Sequence, residues 1–338
     1  MPTPCYHPQP DMNMMKQNHE QPLRGKRIDE IDWLKFVFIL LMIAFHLVYI
    51  GNAYPEVKRF VYTFHMPAFL LISGYMLNFA KLPRAFLRSM LWIAVPYLLV
   101  ESGYIVMASL LPIREHIDRL TFSLFFSKLF LHPLGPYWYL HTLVVGGLSA
   151  YVALGLAPVR RPVAYVLLFS LYCALSIGLG LMSFANAMYL FAGIVLRQSG
   201  ASFLSFFRAS WLSVIPIVLL SLDFSNFSKS TVGGVLIVYF VMSLCLAVYP
   251  RVKGIPRSIA LYIGRHTLLL LVFSPVFTIL AKSYQPLLLR AEPTGMLFML
   301  VSVAFAVAGS LGVGWLCDRL RLSRWIFGRE RVLQSIHL

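Results

Sequence analysis

Lys35 and His46 stand eleven residues apart within a run, Trp33 to Ile50, that is otherwise apolar. At about 100° per residue, eleven residues return to nearly the same helix face, about 16 Å further along the axis. The spacing predicts one helical stripe with an ammonium at a membrane surface and an imidazole deep in the bilayer. A titratable side chain at that depth is costly to keep, so its default reading is functional. A neutral imidazole can take the proton of a hydroxyl, which makes a poor nucleophile competent and is worth about 10²–10⁴-fold in rate. The competing reading is a histidine hydrogen-bonded between helices for packing alone.

Three further residues fall at matching depths when both chain ends are placed in the cytoplasm. His65 lies within Phe64-His65-Met66-Pro67, soon after the second apolar run re-enters from outside, and Glu101 lies about twelve residues into the third. His141 follows Trp138-Tyr139-Leu140, just inside the fourth run from the outer surface. Three histidines and a carboxylate are therefore expected to converge on one outer-leaflet cavity, one group acting as general base while another orients or charges it. The bland alternatives are interfacial water for His65 and His141 and a structural arginine partner for Glu101. On the inner side, Lys35, Arg84, Arg88, Arg265 and His266 gather near the cytoplasmic interface. Cations there can hold the diphosphate of a nucleotide or coenzyme. Arg84 and Arg88 read more simply as anchors to anionic lipid, whereas Arg265 lies inside the ninth apolar run. There is no P-loop or dinucleotide fingerprint, Gly233-Gly234 being a lone pair.

These residues need a membrane scaffold, and the composition supplies one. Of 338 residues, 59% are hydrophobic and 12% charged, about half the charge of a soluble domain. Ten apolar segments run roughly 33–50, 60–79, 89–111, 138–157, 162–181, 183–197, 210–222, 232–249, 258–281 and 296–317, the sixth and seventh being short for a span. With alternate loops assigned to opposite sides, nineteen Lys and Arg fall on one side and eight on the other, which places both chain ends in the cytoplasm. The net charge of +16 is dispersed between apolar runs. That is positive-inside patterning, not a face for nucleic acid.

The expected fold is thus an all-α polytopic transmembrane bundle of about ten spans. Residues 1–32 read as a flexible polar cytoplasmic tail, 33–317 as the membrane domain and 318–338 as a basic cytoplasmic tail. The first segment shows no small-residue cleavage site and is expected to be retained as a span. Cys5, Cys173, Cys245 and Cys317 are scattered without metal-ligand spacing, so neither a disulfide nor a metal site is expected. The longest outer loop, about 112–137, carries Arg114, Glu115, His116, Asp118 and Arg119. The stretch from Leu120 to His132 then reads as an interfacial or re-entrant helix, an anchor or a lid over the outer cavity.

Three motifs resemble the integral membrane acyltransferases of acyltransferase family 3, which include bacterial O-acetylases of surface polysaccharides and fucose O-acetylase-like proteins. The first runs from Arg27 through Asp32, Trp33 and Lys35 to His46 and is similar to the family's first-span signature. The second is Phe64-His65-Met66-Pro67 continuing to Ser73-Gly74-Tyr75, and the third is Gly135-Pro136-Tyr137-Trp138-Tyr139-Leu140. The resemblance covers nearly the whole chain in order, spacing and topology. It implies transfer of an activated acyl group, usually acetyl from acetyl-CoA, to a hydroxyl on a saccharide. It also implies that His46 is the catalytic histidine and Lys35 its basic partner. Two departures stand out. Where many members carry a histidine in the ninth span, this chain reads Phe273-Ser274-Pro275, and Arg84 and Arg88 are separated by three residues instead of two.

The reading is a multi-pass bacterial inner-membrane O-acyltransferase acting on a cell-envelope or exported saccharide. His46 is expected as base, with Glu101 supporting it, and His65, Trp138 and His141 contacting the acceptor. Lys35 and Arg265 are expected to hold the anionic groups of an acyl-CoA donor. The implied partners are the glycan, the bilayer and polysaccharide-assembly proteins. A proton-coupled saccharide or acyl-compound transporter would also use buried His and Glu, and discontinuous helices near the midplane would favour it. A non-catalytic assembly scaffold would lose only stability on replacement of His46, Glu101 and Lys35.

Overall fold

The computed structural model describes residues 27–110 and 115–333; Arg114, residues 1–26 of the N-terminal tail and 334–338 at the other end lie outside the described residues. Every regular element among them is helical. Helix α1 (Asp29–His46) opens with Asp29, Glu30 and Asp32 in its first turn, where carboxylates offset the positive end of the helix dipole. It stops where Leu47 turns extended, and the chain continues through α2 (Val48–Ala53) into α3 (Pro55–Met76). Pro55 begins α3, at a position where its missing N–H is not needed. Then follow α4 (Pro83–Leu110), α5 (Phe122–Phe130), α6 (Trp138–Tyr151), α7 (Arg161–Cys173) and α8 (Phe184–Gln198). The last part holds α9 (Val214–Ser221), α10 (Val232–Val248), α11 (Gly254–Arg265), α12 (Thr267–Leu280), α13 (Gln285–Ala291) and α14 (Met296–Arg319).

Among the described residues, five helical segments are long and apolar enough to cross a membrane: Pro83–Leu110, Gly135–Leu156, Arg161–Gly178, Val232–Arg251 and Met296–Arg319. The outward faces agree with such a setting. Val163, Val166 and Phe169 of α7 are exposed, as lipid-facing residues would be. The chain is therefore a multi-pass membrane protein. Helices α1 and α3 fall outside this apolar set because they carry Asp29, Glu30, Asp32 and Lys35, and Lys58, Arg59 and His65, respectively. Those polar residues build the site described below. The short sixth and seventh runs become α8, of 15 residues, and the stretch Trp211–Ser221.

The run 258–281, expected as one span, is instead two helices that meet at 85°. No proline or glycine occupies the break at His266. Just before the break, a Cβ on Gly264 would lie 1.9 Å from the Asp32 carbonyl oxygen, so α11 presses its backbone directly onto α1. A second backbone-to-backbone contact joins α3 to α8. A Cβ on Gly74 would lie 2.2 Å from Leu190 O, and one on Gly193 would lie 2.0 Å from Leu71 O. Small residues permit this approach, and dispersion over the long contact holds it. Trp33 ties α1 to α10 by donating its indole N–H to Cys245 O at 2.8 Å. The expected helix of the long loop is present as α5, capped by the Thr121 hydroxyl, which accepts from Leu124 N at 3.2 Å.

Candidate active site

At the N-terminal end of α1 two of the expected cations, Lys35 and Arg265, gather with Arg27 and Arg257 around two carboxylates, whereas Arg84 and Arg88 line a separate apolar cavity along α4. Asp32, whose side chain is only 4% exposed, receives Lys35 Nζ at 2.7 Å on one oxygen and Arg27 Nε at 2.5 Å on the other. Arg265 lies 3.6 Å from Asp32 and 3.4 Å from Asp29, and Arg257 lies 4.0 Å from Asp29. The Gly264 contact delivers Arg265 here, so Lys35 and Arg265 do share one place. Asp32 is the hub that unites them. The sequence signal for it was its position one turn before Lys35, where a carboxylate and an ammonium pair on a helix surface.

His46 lies at the opposite end of α1. Its Nδ1 is 2.6 Å from Met42 O. A carbonyl only accepts, so Nδ1 carries the proton and Nε2 of the neutral ring keeps its lone pair for a base's role. His65 is set the same way, with Nδ1 2.7 Å from Val61 O, and its Nε2 is buried with no hydrogen-bond partner among the described residues. Tyr62 stands between the two imidazoles, with ring centroids 6.1 Å from His46 and 5.0 Å from His65. Its hydroxyl donates to Phe45 O at 3.1 Å, which ties α3 to the last turn of α1. Sequence reasoning missed Tyr62. The signal was available, since Tyr62 and His65 are three residues apart and share a helix face.

Between the two ends, the stripe Lys35, Ile39, Met42, His46 is continuous on α1. Ile39 and Met42 are 0% and 2% exposed, so the direct line along this face is closed by packed side chains.

Glu101 and His141 do not join the His46–His65 pair. Glu101 is fully buried and accepts from Leu134 N at 2.6 Å through one carboxylate oxygen, while the other has no hydrogen-bond partner among the described residues. His141 Nε2 is 2.8 Å from Phe130 O. Both hold the segment between α5 and α6. The four groups expected in one cavity are therefore divided between two places. His141 and Trp138 line a cavity of about 600 Å³ with Asn186, Lys128 and His132. Lys229, in the loop before α10, reaches this wall by donating to Asn186 Oδ1 at 2.7 Å, with its ammonium 5.3 Å from the Trp138 ring centroid. Lys229 also lines a second cavity, of about 510 Å³, with Tyr62. It thus links the two halves of the site. Its one sequence clue was Asn186, an amide in the apolar first turns of α8.

The arrangement can perform proton transfer at Nε2 of His46, with a basic cluster a helix length away. Comparison with known proteins agrees in kind. A family model described as an acyltransferase domain, that of acyltransferase family 3, matches residues 28–318, from the turn that carries Asp32 to the end of α14. No curated protein and no solved structure matches the chain. The match takes in every side chain placed above except Arg27, and the chain belongs to acyltransferase family 3, as a membrane acyltransferase that moves groups other than aminoacyl groups.

Proposed function

We propose that this enzyme transfers an acyl group, acetyl from acetyl-CoA, to a hydroxyl of a cell-envelope or exported saccharide, with His46 as general base. The observation that carries the proposal is the Nδ1 bond of His46 to Met42 O, which leaves Nε2 as the basic nitrogen. In the reaction, Nε2 takes the acceptor's hydroxyl proton as its oxygen attacks the thioester carbonyl. The carbon–sulfur bond then breaks, and the thiolate leaves with the proton returned by the imidazolium. The donor's anionic groups bind at Lys35 and Arg265, where the cations outnumber Asp29 and Asp32. The acceptor reaches His46 past Tyr62 and His65, with Trp138 and His141 on the neighbouring wall. Glu101 is a positioning residue that fixes the approach to Trp138 through Leu134. We place the enzyme in a bacterial inner membrane, with ten spans and both chain ends in the cytoplasm.

The broken helix pair could argue for a transporter, since discontinuous helices bind substrate near the midplane. Here the break packs against Asp32 at one end of α1, not against its middle. Membranes containing the wild type are expected to move label from acetyl-CoA into a glycan fraction. Uptake or export of saccharide with no label incorporated would overturn the proposal.

A further inference from the structure

The cavity beside Tyr62 carries more positive charge than a catalytic histidine needs. Lys58 and Arg59 from the first turns of α3 and Lys229 from the loop before α10 line its volume of about 510 Å³, and among the described residues no carboxylate lines it. Glu56 on α3 is exposed and does not line the cavity. Asp223, earlier in the same loop, is bonded to Ser225 N and Oγ at 2.9 and 2.7 Å. The positive end of the α3 dipole adds to the field of the three side chains.

Each of the two ammonium groups lies against an aromatic ring. Lys58 lies back over Gly51, where even a Cβ would come within 2.8 Å of Nζ, and its charge sits 5.5 Å from the Tyr62 ring centroid. Lys229 is held by Asn186 and Trp138, and its carbonyl accepts the Tyr189 hydroxyl at 3.0 Å. The loop around it is pinned to α10. A Cβ on Gly234 would lie 1.8 Å from Ser228 O, and the Thr231 hydroxyl caps the helix at 3.1 Å. A surface lysine that only anchors to lipid has no such framework; it snorkels on a free stem.

We propose that this basin recognises an anionic group on the acceptor, a carboxylate or a phosphate ester, so that the enzyme's acceptors are acidic saccharides. This rests on the acyl-transfer reading of His46. Tyr62 bridges basin and base, so an anion seated between Lys58 and Lys229 leaves a neighbouring hydroxyl of the same saccharide facing His46. The Lys58 ammonium lies 5.5 Å from the Tyr62 ring that also meets His46 and His65, which puts the basin at the reacting end of the site.

The test is equilibrium binding to the full chain in nanodiscs of neutral lipid, with no donor present. The probes are a uronic-acid trisaccharide and the same trisaccharide with its carboxyls reduced to alcohols. The wild type is expected to prefer the acidic probe by about tenfold or more, the size of one charged hydrogen bond. K229Q and K58Q should each lose most of that preference, and K229R should keep it, which separates lost charge from lost fold. Equal affinity for the two probes, no binding of the acidic probe, or a preference indifferent to both Gln variants would overturn the proposal. So would a preference that arises only with anionic lipid in the disc, since the cations would then serve lipid phosphate. Because binding is read without turnover, failure of label transfer is a separate result and bears on the acyl-transfer reading alone.

Discussion

Lys35 Nζ lies 2.7 Å from Asp32 Oδ1, one helical turn earlier on α1, while the other Asp32 oxygen is 2.5 Å from Arg27. Lys35 is therefore one member of a shared cluster in which Arg27, Lys35, Arg257 and Arg265 face Asp29 and Asp32. An incoming phosphate would meet a field already partly balanced and fixed in geometry by a buried carboxylate.

Replacement of Asp32 by Asn leaves Lys35 and Arg265 without their common counter-charge. Breaking a buried pair from one side costs about 3–5 kcal/mol, and the exposure of Arg27 puts this case at the lower end. Asp29, 38% exposed on its side chain, should matter far less. Thermal unfolding in detergent is expected to fall markedly for D32N and little for D29N.

Glu101 separates a positioning role from a chemical one. Its described bond is to Leu134 N, and the amide oxygen of Gln can accept that bond as well. E101Q should keep most of its transfer activity. E101A should lose stability by about 1–3 kcal/mol, because a buried N–H is left unpaired. If E101Q is folded and inactive, the carboxylate itself takes part in the reaction.

Gly193 and Gly264 are close contacts with no room for a methyl group. A Cβ would stand 2.0 Å from Leu71 O in the first case and 1.9 Å from Asp32 O in the second. Each Gly→Ala change should force the helices apart at a cost of about 1–3 kcal/mol or more. G264A should also weaken donor affinity, since it shifts Arg265, whereas G193A should act on the yield of folded protein alone. Donor KM measured on the folded fraction distinguishes them.

Glu292 follows α13, and the Thr294 side chain first, then Leu297 N at 3.0 Å and Thr294 N at 2.7 Å, hold its carboxyl down at about 2 against an ordinary 4.5. A carboxylate with a depressed folded value stabilises above its unfolded value and loses that contribution as pH falls through the folded one. The bonds should thus persist at pH 5 and weaken only between about 4.5 and about 2. Hydrogen exchange at the Thr294 and Leu297 amides, corrected for intrinsic rates, should show equal protection at pH 7 and pH 5. Loss of protection already at pH 5 would contradict this.

The sequence carried much of this site because its strongest signal is periodic. Lys35 and His46 fall on one stripe through helical geometry alone, and the first helix does run unbroken between them. His65 was placed near His46 from its depth on the second run, and both histidines flank Tyr62. What stayed hidden depends on packing between distant segments. The 85° break at His266 lies just after the place where Gly264 meets Asp32, more than 230 residues away in the chain, and nothing local marks it. Lys229 looked like one more loop cation until the fold brought Asn186 and Trp138 to it. Glu101 was legible as an expensive buried carboxylate, but its partner is a backbone N–H, which every residue but proline supplies and no pattern reveals.

The most direct test of the account is the initial rate of label transfer from acetyl-CoA to glycan by membranes matched for folded protein, wild type against His46→Ala. With Nε2 of His46 as the base, the variant should fall by at least about 10²-fold. A folded His46→Ala protein that transfers label at the wild-type rate would contradict the assignment of His46 as the base.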